Sequence, residues 1–165
     1  MNLITCIHYD SKCYKCAQPA QQVGIVVHST GSNNTSLKRY VQPSPSDPNY
    51  DELIKLIGKN TKNNSWNRQV DKSAHYFIGK LADGSIATAY ILPEEYCAWG
   101  VGKGKLGSYN YNPTAHIQFE ICEDGLKDKT YFDKVYKEAI ELCADICKRY
   151  DWSSDVIVCH QECHQ

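Results

Sequence analysis

The alternation of apolar and polar positions predicts several short strands. An unbroken apolar run at Ile25–Val27 is followed by His28 and then by a polar loop that contains Gly31, a pattern typical of a strand buried on both faces. A second apolar run, Val156–Val158, leads into Cys159 and His160. Two predicted core strands, far apart in the chain, therefore each end at a histidine.

Three further segments are predicted to be strands. Ala74–Gly79 and Ser85–Ile91 are rich in β-forming residues, and the Asp83-Gly84 turn between them predicts a hairpin. Ala115–Cys122 alternates, so that one face carries Ile117, Phe119 and Ile121 and the other carries His116, Gln118, Glu120 and Cys122. A glutamate in the middle of such a strand is usually a solvated side chain.

Helical periodicity predicts two helices and one helical turn. Asp51–Gly58 has acids in its first turn and glycine at its end, and Leu37–Val41 is predicted to form a turn of helix, whereas residues 1–21 are predicted to be irregular. The longest helix is predicted to begin at Thr130, which with Asp133 resembles a capping box, and to extend about twenty residues or roughly 30 Å. Its predicted apolar stripe comprises Phe132, Val135, Tyr136, Ala139, Ile140, Cys143, Ile146, Cys147 and Tyr150.

Strand, hairpin, strand, helix and strand in this order predict an α/β layer fold in a single domain over residues 1–165. The formal net charge of −1 gives no reason to expect a nucleic acid or an anionic membrane as a partner. No apolar stretch approaches the ~18 residues that span a bilayer. The first residues lack a basic region followed by an apolar segment and a cleavage site, so we expect no secretory signal.

Nine cysteines are many for a cytosolic protein, but the number is odd and the chain is not small, which favours mostly free thiols in a reducing compartment over a disulfide framework. Cys143 and Cys147, four residues apart, are predicted to pack on the inner face of the long helix. Cys13 and Cys16 have the two-residue gap of a zinc knuckle. Cys6 and His8 would have to supply the second pair of zinc ligands, but their spacing is unlike that of such a pair.

The two strand-terminal histidines are the strongest candidates for chemistry. An imidazole at the end of a buried strand costs free energy unless both nitrogens find partners, and a metal ion with a second hydrogen bond would satisfy them. If His28 is considered by itself, the alternative is a core histidine that hydrogen-bonds to the backbone. The presence of a second strand-terminal histidine, His160, favours a metal site. After Trp99, the glycine-rich segment Gly100–Tyr111 predicts a long loop of the kind that borders a site.

Several motifs in the right order resemble those of the type 2 N-acetylmuramoyl-L-alanine amidases. They are Val27–Gly31, Asn33-Asn34, Leu37–Pro43, Ser73–Ile78, Ala98-Trp99, Asn112 and Ile117–Cys122, and the resemblance extends from about residue 12 to the end. It is strongest to catalytic domains of endolysins from phages and prophages of clostridia and related Firmicutes.

The resemblance implies a central mixed β-sheet flanked by helices, the fold shared with peptidoglycan recognition proteins. It also implies Zn²⁺-dependent hydrolysis of the amide between N-acetylmuramic acid and L-alanine in bacterial peptidoglycan. By position in the motifs, His28 and His160 match two zinc ligands and Glu120 matches the acid near the metal-bound water. His75 and Trp99 match positions that line the substrate groove or pack beneath it. Such an enzyme would be made in the bacterial cytoplasm and act on the cell wall.

One part of the family pattern is absent. The third zinc ligand of the family, usually an aspartate, lies in a loop beyond the second histidine, and this sequence ends five residues after His160. Either the chain is a truncated form lacking the usual C-terminal end of the domain, or Cys163 or His164 completes the site, since zinc accepts thiolate and imidazole. A non-catalytic peptidoglycan-binding module of the same fold, or a small cysteine-rich zinc-binding adaptor, are the alternatives to an enzyme.

Overall fold

The computed structural model describes residues 1–61, 72–104, 107–110 and 114–164, with the backbone alone at 103–104, 107–108 and 164. The glycine-rich segment Gly100–Tyr111 lies in part outside the described residues. No described helix combines the length and the apolar character that a membrane span requires.

A six-stranded mixed sheet organises the chain. Its strands are β1 (Leu3–Thr5), β2 (Gln21–Ser29), β3 (Tyr76–Lys80), β4 (Ile86–Tyr90), β7 (Thr114–Ile121) and β8 (Ile157–Cys159), in the order β1-β4-β3-β7-β2-β8. β3 and β4 form the predicted antiparallel hairpin, and every other neighbouring pair in this sheet is parallel. Two-residue strands β5 (Lys103–Gly104) and β6 (Gly107–Ser108) pair separately. The mixed sheet predicted from the resemblance is confirmed.

The helices are α1 (Lys12–Lys15), α2 (Tyr50–Ile57) and α3 (Lys129–Tyr150), with 3₁₀ turns at Leu37–Arg39, Ser154–Val156 and Glu162–His164. The helix predicted over Asp51–Gly58 and the helical turn near Leu37 are confirmed within a residue or two. The prediction of an irregular segment over residues 1–21 is wrong, because β1 pairs with β4 along its three residues and α1 follows. Leu3–Thr5 contains only two apolar residues and is largely exposed, so it lacks the apolar run that revealed β8.

The first turn of α3 differs from the prediction. Its N-cap is Asp128, whose side chain accepts a hydrogen bond from the Tyr131 backbone N–H at 3.2 Å. The predicted cap, Thr130, lies inside the helix. A carboxylate at this position satisfies an N–H that has no partner within the helix and lies at the positive end of the helix dipole, so Asp128 is the better cap.

Six of the nine residues in the predicted apolar stripe of α3 face the sheet. Val135, Ala139 and Ile146 are buried there, and Cys143, Cys147 and Tyr150 pack, partly buried, against the same cluster. The helix buries Tyr131, Val135, Ala139, Leu142 and Ile146 against the sheet. Phe132, Tyr136 and Ile140 of the predicted stripe are 44%, 57% and 52% exposed, while Leu142 was missing from it. The helix carries more apolar residues than one contact face can hold, and the orientation of the sheet decides which of them are covered.

The two faces of the sheet have different neighbours. α3 packs on Ile25, Ile117 and Phe119, whereas Phe77, Ala87 and Ala89 pack on the other face with Leu37 and Tyr40. Because side chains alternate along a strand, His28, Gln118 and Glu120 lie on the face away from α3.

A β-bulge near Gly24 aligns β2 with its neighbours. The register between β2 and β7 shifts between Gln22 and Ile25. A Cβ at Gly24 would lie 2.6 Å from the Val156 carbonyl oxygen and 2.8 Å from the ring of His116, so only glycine fits between β7 and the 3₁₀ turn that precedes β8.

All nine cysteines are within the described residues, and none forms a disulfide in the structure. Cys6 and Cys13 are buried in the core on the α2 side, where the Ser73 hydroxyl donates a hydrogen bond to Cys13 Sγ at 2.9 Å. Within the described ranges, no three His, Cys, Asp or Glu side chains are arranged to hold a metal, and this includes the possible knuckle at Cys6, His8, Cys13 and Cys16.

Truncation of Leu142 and of Ile140 tests which face of α3 is buried. Leu142→Ala removes a fully buried side chain, so we expect the free energy of unfolding to fall by about 3 kcal/mol. Ile140→Ala, which removes a similar volume from a half-exposed position, should cost less than about 1 kcal/mol. Urea unfolding of both variants measures this, and equal losses would contradict the observed orientation of α3.

Candidate active site

The carboxyl ends of three parallel strands bring the strand-terminal histidines and Glu120 together. His28, near the end of β2, is the register partner of Glu120 on β7. His160 directly follows β8, and its backbone N–H donates to the Val27 carbonyl at 3.1 Å. In sheets of this kind the carboxyl ends of parallel strands are the usual position of a functional site.

The two imidazoles are in direct contact. Nδ1 of His28 lies 2.7 Å from Nδ1 of His160, and the ring planes are 71° apart. Only one hydrogen fits between these nitrogens, so one ring donates and the other accepts. The structure thus places together two residues that are 132 positions apart in the sequence.

His28 is held in a neutral state. Burial first and the charge of His160 second lower its pKa to about 4. A hydrogen bond with the Gln118 side chain acts in the opposite direction but does not outweigh burial. At neutral pH His28 therefore keeps a lone pair on one ring nitrogen, which is the state that binds metal ions.

Glu120 is a buried acid and not the solvated side chain that is usual in a strand. It is 6% exposed, and its Oε2 has no hydrogen-bond partner. Burial is the main cause that raises its pKa to about 8; the negative charge of Glu123 contributes in the same direction, and the Lys72 ammonium acts against both. An acid with a pKa near neutrality can both accept and donate a proton at physiological pH.

These groups border an open cleft of about 620 Å³. Its lining is His28, Ser29, Lys72, Trp99, Gly100, Val101, Gly102, Asn110, Glu120 and His160. Trp99 and the start of the glycine-rich segment are thus at the site, as the sequence suggested. A second groove of about 430 Å³, between α3 and the opposite face of the sheet, is lined by apolar side chains, cysteines and one serine, and has no acid or imidazole.

His75, the other candidate for contact with substrate, lies beneath the cleft. It is fully buried, its Nδ1 accepts a hydrogen bond from the Gln118 backbone N–H at 2.9 Å, and its Nε2–H donates to the Tyr96 carbonyl at 2.9 Å. Both ring nitrogens are therefore engaged by the backbone. Of the two roles that the sequence left open for His75, packing beneath the groove is the one its position matches.

Gln118 is a site residue that sequence reasoning missed. It is fully buried, and its Oε1 lies 3.1 Å from Nε2 of His28. The alternation of β7 had already placed Gln118 on the same face as Glu120, which was the available signal.

The alternatives for a third metal ligand are only partly described. Cys163 is fully buried beside Val26 and Val101, and its thiol donates to the Cys159 carbonyl at 3.5 Å. Cys159, at the end of β8, is half-buried, and the side chain of His164 is outside the described residues. The described residues therefore supply two imidazoles and one nearby acid, and the identity of a third ligand stays a prediction.

Comparison with known proteins identifies the family of this chain. The family model described as N-acetylmuramoyl-L-alanine amidase (Amidase_2) matches residues 18–165. The N-acetylmuramoyl-L-alanine amidase CwlL of Bacillus licheniformis is 32% identical over 94 residues, which are 54% of this chain and 24% of CwlL. The chain thus matches about a quarter of the length of this curated relative.

Solved structures agree on the fold. The catalytic domain of XlyA superposes with a TM-score of 0.61 at 19% identity, covering 98% of this chain and 86% of that one. The PlyG catalytic domain gives 0.59 at 21% identity, covering 98% and 79%. At such identities the likeness concerns the architecture alone, and it confirms the predicted fold class. Because the family model covers most of the sequence, we conclude that this chain belongs to the N-acetylmuramoyl-L-alanine amidase family.

Proposed function

We propose that this domain hydrolyses the amide bond between N-acetylmuramic acid and L-alanine in peptidoglycan, with zinc as its metal. The observation that carries the proposal is the contact between His28 and His160 in the same cleft as the buried acid Glu120. Membership of the amidase family supports the substrate and the bond. We further propose an endolysin-type role, in which the protein is made in the bacterial cytoplasm and acts on the cell wall.

The residues present fit a zinc ion. His28 is neutral, its Nε2 bonds to an amide oxygen, and its Nδ1 faces His160, which is how a metal-binding histidine is usually held. Catalytic zinc sites have three protein ligands, commonly histidine with a carboxylate or a cysteine, and an open position. His28 and His160 would be two of these ligands. Zinc bound there would polarise the amide carbonyl and lower the pKa of a water molecule to about 7.

Glu120 would carry the proton transfers. An amide nitrogen leaves only when it is protonated, and water attacks only as it loses a proton, so one group that does both in turn is sufficient. The unpartnered Oε2 of Glu120, in the lining of the cleft, is available to a water or to the leaving amine. Lys72, in the same lining, favours the ionised form that accepts the first proton.

The cleft would orient the substrate and restrict water. Trp99 provides an apolar wall, and Ser29 is held by a hydrogen bond from its hydroxyl to Glu123 at 3.0 Å. Gly102 lines the cleft without a side chain, which lets an extended chain approach the backbone closely. Positioning the scissile amide against Glu120 in this way lowers the entropic part of the barrier.

A non-catalytic peptidoglycan-binding module is the second candidate. It is favoured by one observation, namely that the described residues contain no cluster of three potential metal ligands. Two imidazoles alone bind zinc weakly, and a domain without metal could still hold wall fragments in the cleft. Incubation of zinc-loaded protein with purified muropeptides separates the two functions, because only the enzyme releases new L-alanine amino ends.

Replacement of Glu120 tests its role in proton transfer. Glu120→Gln keeps the shape of the side chain but cannot accept a proton, so we expect kcat to fall about 10²-fold or more while the bound zinc is retained. Glu138→Gln is the matched control, because Glu138 is also buried but lies on α3, where it accepts a hydrogen bond from Thr88. Release of amino ends and metal analysis measure both variants. Unchanged turnover in Glu120→Gln would remove this residue from the mechanism.

Replacement of His28 tests the metal site. His28→Ala removes one of two neighbouring imidazoles, so we expect loss of bound zinc and of amidase activity together. His116→Ala is the control, since His116 is also partly buried but lies four residues before Glu120 on β7, about 13 Å along the strand. Metal analysis after dialysis should find zinc in the control alone. Retention of zinc by His28→Ala would place the metal elsewhere.

The raised pKa of Glu120 predicts a pH-dependent stability in the metal-free protein. Between its ordinary value of 4.5 and about 8, the folded protein holds a proton that the unfolded chain has released, so this residue makes the fold less stable as pH rises. Glu120→Gln removes this titration. We expect its stability relative to wild type to increase by roughly 3 kcal/mol between pH 5 and pH 8. Denaturant unfolding at both pH values measures this, and a constant difference would show that Glu120 has an ordinary pKa.

A further inference from the structure

We propose that Gln118 is a positioning residue that holds His28 in the tautomer with hydrogen on Nε2 and a lone pair on Nδ1, and that Asn110 and Gly100 hold the Gln118 amide in the only orientation that does so. The inference deepens the proposed function, because a metal in the cleft would bind His28 through that lone pair. Only this link to a metal rests on the proposed function; the tautomer itself does not.

The first step is the orientation of Asn110, which the backbone decides. The Val101 N–H donates to Asn110 Oδ1 at 2.8 Å, and Asn110 Nδ2 donates to the Val101 carbonyl. A backbone N–H is always a donor and a carbonyl always an acceptor. Turning the Asn110 amide over would set donor against donor and acceptor against acceptor, so its Oδ1 must face Val101 N.

The second step passes this orientation to Gln118. Its Nε2 lies 3.0 Å from Asn110 Oδ1 and 3.3 Å from the Ala98 carbonyl oxygen. Both neighbours are acceptors, so the NH₂ group of Gln118 must be on this side. Its Oε1 is therefore on the other side, 3.1 Å from Nε2 of His28.

The third step is the tautomer of His28. An amide oxygen only accepts, so Nε2 of His28 must carry the hydrogen, and in the neutral ring Nδ1 is then bare. His160 must in turn donate through its own Nδ1–H across the 2.7 Å contact. The fixed polarity of the Val101 backbone thereby decides, through two side-chain amides, which nitrogen of His28 offers a lone pair.

Close packing restricts the position of the Gln118 side-chain amide. The side chain is fully buried, and a Cβ on Gly100 would lie 2.2 Å from its Oε1 and 3.3 Å from its Cδ. Glycine at position 100 is therefore required for space. The backbone of Gln118 is held as well, since its N–H donates to Nδ1 of His75 and its carbonyl accepts from the His75 N–H at 2.8 Å.

The tautomer can be measured directly in the metal-free protein, without substrate. In ¹⁵N-histidine-labelled protein, long-range ¹H–¹⁵N correlation spectra distinguish the bare ring nitrogen from the protonated one, and His28→Gln identifies the His28 signals by their loss. We expect Nε2 of His28 to be protonated and Nδ1 to be bare. A wild-type His28 that carries its hydrogen on Nδ1 would overturn the proposal.

Two variants test whether the Gln118 amide fixes the tautomer of His28. Gln118→Met keeps the length of the side chain but removes the acceptor, and Gly100→Ala leaves Gln118 in the sequence but displaces its amide. In both we expect the His28 signals to shift toward a mixture of tautomers. Gln22→Met is the matched control, because Gln22 is also a buried glutamine, at the start of β2, whose Nε2 donates to the Glu94 and Tyr96 carbonyls away from the cleft. A tautomer unchanged in Gln118→Met would also overturn the proposal.

Zinc affinity provides a second readout. We expect the zinc dissociation constant to increase about 10- to 100-fold in Gln118→Met and less than about twofold in Gln22→Met, as measured by competition with a chromophoric chelator. Equal affinities in the two variants would contradict the inference. If no protein binds zinc but the tautomer responds as expected, the zinc hydrolase proposal fails and the role of Gln118 stands.

Discussion

The parallel pairing of β2 with β7 is the interaction on which the site depends. Its register sets His28 beside Glu120 and Val26 beside Gln118, so an imidazole and a carboxyl share one face at the carboxyl ends of two buried strands. A slip of one residue would turn either side chain toward α3. β8 pairs with the other edge of β2 and brings His160 to the same end of the sheet. The bulge at Gly24 makes this alignment compatible with the rest of the strand.

Burial gives the site its protonation states. The same low-polarity surroundings lower the pKa of His28 and raise that of Glu120, so at neutral pH in the metal-free protein both side chains favour their uncharged forms. Because neither His28 nor Glu120 is positively charged in this state, neither would repel a cation in the cleft. Such a cation would favour the ionised form of Glu120. Among the described residues that line the cleft, Lys72 is the one lysine or arginine.

A second layer of polar groups connects the glycine-rich segment to His28 and Glu120. Asn110 and Gly100 belong to that segment, and Gln118 belongs to β7. His75, which directly precedes β3, accepts a hydrogen bond from the backbone N–H of Gln118. The loop is therefore more than a border of the cleft. Its backbone orients the amide that faces His28, which explains why a long, glycine-rich connection lies directly beside a buried strand.

The sequence by itself determined β2, β3, β4, β7 and β8, the long helix and the two strand-terminal histidines, because apolar patterns are local and each of these elements carries a clear one. Its resemblance to a family pointed to Glu120 and to the mixed sheet. Only the tertiary structure decided which face of α3 is buried, that β1 joins the sheet, and that Gln118 faces His28. Each of these depends on contacts between residues distant in the chain, and a local pattern cannot specify the distance, the register or the hydrogen-bond polarity of such contacts.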